Sequence, residues 1–311
     1  MLNGALYRQG LRASWKPLII FLAVLTMYDA VIVSMFDPRI GDLLATLMQT
    51  MPDIMTMFGM NNPGATLAEF LANYLYGFLM LIFPLVFSAM TANSLVARHV
   101  DRGSMAYLLA APNSRTRVAF TQMTVLLTGV TAIIAVCTAV GWGCSAAMFP
   151  GALDVAGYLR LNLGVWLLHL CLSGLCFFAS CISNTTRLSL ALGAGTATVF
   201  YLIQMLANMG GKLETLRYIT LFTLFQPDKL LAGEAAGWVF AAVLGLFMMG
   251  GLSASMVSVY TTAQIPTGEG TVMAIQGDIL DAVAPGLLTL ATVLLVYKYL
   301  RSGHSMMKAT F

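Results

Sequence analysis

The sequence predicts an all-α polytopic membrane protein of about six transmembrane helices, with one further apolar helix near its C-terminus. Three observations carry that expectation. Hydrophobic residues make up 59% of the 311 positions, charged residues only 9%, and the mean hydropathy is +0.83. A soluble globular domain carries about 25% charged residues, so a water-facing surface cannot be built from this composition. The apolar residues also fall into runs of roughly 20, the length needed to cross a hydrocarbon core of about 30 Å. Finally, those runs lack the period-two alternation of membrane β-barrels. Lipid offers the backbone no hydrogen-bond partners, so helices remain.

The chain opens with a polar and basic stretch, Met1 to Lys16, holding Arg8 and Arg12. It reads as a short amphipathic helix along the interface, ahead of an uncleaved first span with a cytoplasmic N-terminus. Pro17 opens that span, about 17–36, and Asp37-Pro38 breaks it. Residues 38–65 form an external segment with its own short amphipathic helix, ending at the turn cluster Asn61-Asn62-Pro63-Gly64. The second span covers about 67–95, with Pro84 as a kink.

Arg98, Arg102, Arg115 and Arg117 make the following segment, about 96–118, the densest positive charge in the chain, which marks it as cytoplasmic. Asp101-Arg102-Gly103-Ser104 reads as a turn, followed by a short helix from Met105 that includes Tyr107 and stops at Pro112. Such a segment suits a groove on a cytosolic partner; it also suits a solvated loop that only fixes topology.

The third span is about 119–148, stopped by Pro150-Gly151; the fourth, about 161–182, turns at Ser183 to Arg187; the fifth is about 188–208. An outer segment of about 25 residues leads to a sixth apolar run at 237–259. Eight basic residues fall inside on this assignment and five outside. The last apolar run, about 283–300, would put Lys298, Arg301 and Lys308 outside if both final runs cross, so their topology stays open.

Several chemistries are excluded or unsupported. Gly210-Gly211-Lys212 is followed by Leu213, so the hydroxyl of a phosphate-binding loop is missing and the chain has no ATPase site of its own. The five cysteines have no zinc spacing and read as small apolar residues inside helices. The net charge of +3 is dispersed, which argues against nucleic acid. Two ionisable residues lie in the spans: Asp29, near the middle of the first, and His169, in the fourth. Each is open to two readings, a substrate or ion contact or a polar residue bonded to a neighbouring helix. His169 and Ser173 share a helix face, but no acid accompanies them. Gly193 to Ala197 and Gly245, Gly250 and Gly251 are small residues that allow helices to approach closely.

Residues 1 to about 235 resemble the membrane subunit of ABC-2 type ABC transporters. The stretches that carry the resemblance are Phe36-Asp37-Pro38, Tyr74 to Met80, Val100 to Leu109, Ala111 to Arg115, Ala146 to Gly151, Ser189 to Gly195, Gln204 to Asn208, and Phe222 to Phe225 with Pro227-Asp228-Lys229. The resemblance implies two permease subunits, as a homodimer or heterodimer, driven by cytosolic ABC ATPases that carry the ATP and magnesium. It implies a place in a bacterial cytoplasmic membrane, contact with membrane lipid, and export of an amphipathic or lipid-like substrate. It makes the first inner loop the ATPase-coupling element, here Arg98, Asp101, Arg102, Gly103, Ser104, Tyr107, Arg115 and Arg117.

From about 244 the chain instead resembles the end of a mannose-type phosphotransferase enzyme IID, on Leu244 to Leu252, Ile275 to Leu280 and Ala284 to Leu288. The expected division is therefore a permease region at 1–235 and a last span with an atypical C-terminal segment at 236–311. The alternative function is a membrane component of a mannose-type sugar phosphotransferase system.

Overall fold

The computed structural model describes residues 2–37, 49–51, 66–104, 115–209 and 211–234. These residues are helical in five long apolar elements, each long enough by length and composition to cross a membrane. Helix α1 is Gly4–Ser34. The second span is a stack of α2 (Leu67–Tyr74), a π-helical turn (Leu75–Leu79), α3 (Met80–Leu95) and α4 (Ala97–Asp101). The third and fourth spans are α5 (Arg115–Met148) and α6 (Val155–Ile182). The fifth is α7 (Thr186–Leu190), a second π-helical turn (Ala191–Gly195) and α8 (Thr196–Asn208).

Helix starts are fixed by short polar side chains that take up the orphan N–H groups of the first turn. The Asn3 side chain accepts from Ala5 and Leu6, Asp154 from Ala156, and Thr185 from Leu188. Thr66 and Glu69 form a reciprocal capping box, which accounts for Glu69 at the end of an apolar span. Span three stops as its sequence suggests. Ala152 N–H bonds the Phe149 carbonyl across Pro150 and Gly151, and Gly151 sits at φ 83°, as the third residue of a type II turn requires.

The first sixteen residues correct the expectation of a separate interfacial helix. Helix α1 runs unbroken through Pro17 for 31 residues, about 46 Å at 1.5 Å per residue. The reason is tertiary. The Asn3 N–H donates to Thr121 Oγ1 and the Tyr7 hydroxyl to Thr128 Oγ1, holding the first turns against the start of α5.

Spans two and four are the most buried, and spans one and five the most exposed. Leu71, Tyr76, Met80, Phe87, Leu126, Tyr158, Leu168 and Phe177 are fully enclosed between them. Exposed Ile19, Ile20, Val199 and Leu202 lie on the outer spans, where an apolar surface suits lipid. At one end Phe36 packs edge-on against both Phe70 and Phe149, tying spans one, two and three together. The 25-residue outer segment is more ordered than its sequence suggested: 3-10 helices at Gly211–Tyr218 and Leu221–Leu224 precede α9, Pro227–Ala232. The readings at 38–48, 52–65 and 105–114, the sixth apolar run and the C-terminal run fall outside the described residues.

Candidate functional site

Chain direction alternates from span to span, so Asn3, Asp101, Arg117 and Thr186 gather at one end of the bundle. Phe36, Leu67, Phe149 and Asp154 gather at the other. The loop predicted to couple to an ATPase leaves and re-enters the bundle at the first end. Arg98, Asp101, Arg102 and Gly103 are exposed there, Ser104 is half-buried and Arg117 is exposed. Arg115 begins α5 in the same corner, and Tyr107 lies outside the described residues.

The turn that starts this loop is built by three residues. Gly103 takes φ 69°, the left-handed conformation that ends a helix, and its N–H bonds the Val100 carbonyl. Ser104 Oγ lies 2.9 Å from His99 Nδ1 and also donates to the His99 carbonyl, folding the chain back on its own helix. Asp101 faces elsewhere. Its Oδ2 accepts from the Thr186 hydroxyl at 2.9 Å and from the Thr186 N–H at 3.3 Å. The loop is thereby tied to the first turn of span five, at a helix N-terminus where a carboxylate is electrostatically favoured. Thr186 was not singled out from the sequence; nothing local distinguishes it from the neighbouring Thr185, which caps the helix.

His169 is fully buried. Pro84 has no N–H, so the Met80 carbonyl four residues earlier lacks its helical donor. His169 Nε2 supplies it across the spans at 2.7 Å. Ser173, one turn on, pairs with Ser88 Oγ at 3.0 Å, and Ser88 itself donates to the Pro84 carbonyl. The shared face of His169 and Ser173 thus meets span two around Pro84, His169 at the Met80 carbonyl and Ser173 at Ser88. Nearby, the Tyr201 hydroxyl donates to the Gly77 carbonyl in the π-helical turn.

Asp29 stands five residues before the C-terminal end of α1, in the half of the bundle away from the basic loop. Its neighbours are Gly141 of α5 and Tyr158 of α6: a Cβ on Gly141 would meet the Tyr158 hydroxyl and stand 3.5 Å from Asp29 Oδ1. Asn162 organises the polar groups beside it, accepting from Tyr76 at 2.7 Å and Thr138 at 2.8 Å and donating to the Tyr158 carbonyl.

Arg160, at the same end, reads as structural. Its guanidinium donates to the carbonyls of Leu230 and Leu231, closing the last turn of α9, and lies 3.8 Å from Asp154. The four described cysteines in spans three and four that are fully buried, Cys137, Cys171, Cys176 and Cys181, are unpaired thiols, and Cys144 is half-buried.

Five apolar spans, helix-packed polar side chains and one exposed basic corner define a multi-pass membrane protein. The family model described as ABC-2 family transporter protein matches residues 8–229, and the chain belongs to that family. It is a membrane permease, and permeases of the family generally partner with ABC ATPases. Residues 235–311 match a second family model, the mannose/fructose/sorbose phosphotransferase system IID component. No curated protein matches the sequence.

Proposed function

We propose that this chain is the membrane half of an exporter for an amphipathic or lipid-like substrate, driven by a separate cytosolic ATPase that docks on the 98–117 loop. The single observation that carries the reading is the Asp101 tie within a family-matched permease. A loop held only by its own chain would pass force to spans two and three. Through Asp101 and Thr186 the same loop also holds the start of span five. Closure of the ATPase on ATP and magnesium would therefore move three spans together. Span five leans on span four through Gly193, where a Cβ would stand 3.2 Å from the Cys176 Cα, so the movement reaches the buried centre.

Charge supports the orientation. Arg8, Arg12, Lys16, Arg98, Arg102, Arg115, Arg117 and Arg187 belong to the loop end, against Arg160, Lys212, Arg217 and Lys229 at the other among the described residues. The loop end and the N-terminus are then on the cytoplasmic side of a bacterial cytoplasmic membrane. A second permease subunit, identical or related, completes the pathway. The phosphotransferase match at 235–311 favours a second reading, a membrane component of a mannose-type sugar phosphotransferase system.

The test is co-purification from membranes of the intact chain and of a variant whose 98–117 loop is a neutral linker. Retention of an ATPase by the intact chain alone, with ATP turnover, supports the first reading. Equal retention by both removes the loop from it. A phosphoenolpyruvate-dependent sugar uptake that needs this chain would favour the second.

A further inference from the structure

We propose that Asp29 is a binding site for one small positive ion, a proton or an alkali cation, enclosed between spans one, three and four. Both carboxylate oxygens are buried and neither has a hydrogen-bond partner, and the residue as a whole is 1% exposed. The surrounding network explains why. Asn162 spends its acceptor on Tyr76 and Thr138 and its amide on the Tyr158 carbonyl, while the Tyr158 hydroxyl is directed to the Thr138 carbonyl at 3.4 Å. None of these bonds turns to the carboxylate. Nor does a basic side chain among the described residues pair with it.

An isolated carboxylate in an apolar interior is too costly to persist uncompensated. A Cβ on Gly141 would meet the Tyr158 hydroxyl and stand 3.5 Å from Asp29 Oδ1, so the phenol and the carboxylate border the same glycine. A carboxylate with a phenol oxygen is a hard-oxygen donor set, suited to a proton or to a hard monovalent cation. The enclosure of both oxygens excludes anything larger unless the spans separate. The other titratable groups facing Asp29 are Tyr76 of span two, Cys137 of span three and Tyr158 of span four. The inference goes beyond the ATPase reading and does not depend on it.

The experiment uses the purified full-length chain in detergent, without an ATPase. Thermal unfolding is followed from pH 5 to pH 8 in choline chloride, then at pH 8 with sodium or potassium chloride, for wild type and the isosteric, neutral Asp29→Asn. Wild type is expected to unfold at progressively lower temperature as pH rises in choline, and Asp29→Asn to lose that slope. If sodium or potassium restores wild type at pH 8 and leaves Asp29→Asn unmoved, the ion is the alkali cation; if neither salt does, it is the proton. The proposal is overturned if wild type is flat in both series, or if Asp29→Asn follows wild type in both.

Discussion

At the scale of single residues, the two ionisable side chains inside the spans do opposite things. His169 is bonded at one ring nitrogen, whereas both carboxylate oxygens of Asp29 are left without a partner. His169 gives its Nε2–H to the Met80 carbonyl that Pro84 cannot serve. His169→Ala should therefore destabilise the bundle by about 1–3 kcal/mol, the cost of a buried acceptor left unpaired, read as a lower unfolding temperature in detergent. An undiminished unfolding temperature would refute the mending role. The signal was available in the sequence in principle, since a proline always frees the carbonyl four residues earlier. Which side chain reaches it depends on how spans two and four face one another, and one sequence does not fix that. Gly103 is different: its part in a turn was legible because a helix-ending glycine has a local backbone cause. Gly103→Glu forces a side chain onto a φ of 69° at a cost of about 1 kcal/mol. Because open space surrounds the position, insertion and folding should survive while ATPase coupling falls. Insertion measured by protease protection, beside ATP turnover, separates the two effects.

At the scale of elements, span positions were readable because apolar runs, prolines and turn glycines have local causes. Spans three and four end where Pro150-Gly151 and Ser183 suggested. The continuity of α1 through Pro17 was hidden, because it comes from Asn3 and Tyr7 bonding residues more than a hundred positions away. The two π-helical turns were hidden for a similar reason: a π turn is stabilised by what packs on it, as Tyr201 does at Gly77. Small residues in span five did announce close packing. Gly193→Val should push span five off the Cys176 backbone and cost about 1–3 kcal/mol, an overpacking penalty. The same change at Gly143, which has open space around it, should cost less. Comparing the two unfolding temperatures in detergent checks this. Arg160 ties α9 to span four through two carbonyls. Arg160→Ala should speed hydrogen exchange at 230–234 with little change in the spans, and unchanged exchange there would deny the cap.

At the scale of the whole molecule, the polar ends of the bundle carry the functional argument. One end presents exposed arginines and the Asp101 tie; the other buries Asp29 and is closed by aromatic rings and α9. The loop was legible from its charge and from its likeness to family members, whereas its link to span five was not, because Asp101 and Thr186 are 85 positions apart. On the proposed reading an ATPase grips the Arg98–Arg117 end. The most direct measurement is photocrosslinking in intact membranes, from a benzophenone side chain placed at exposed Arg102 or, at the opposite end, at exposed Asp154. A covalent adduct to a protein carrying a phosphate-binding loop, identified by mass spectrometry, is expected from position 102 alone. The same adduct from position 154, or none from 102 in membranes where ATP-dependent transport is intact, would contradict the account.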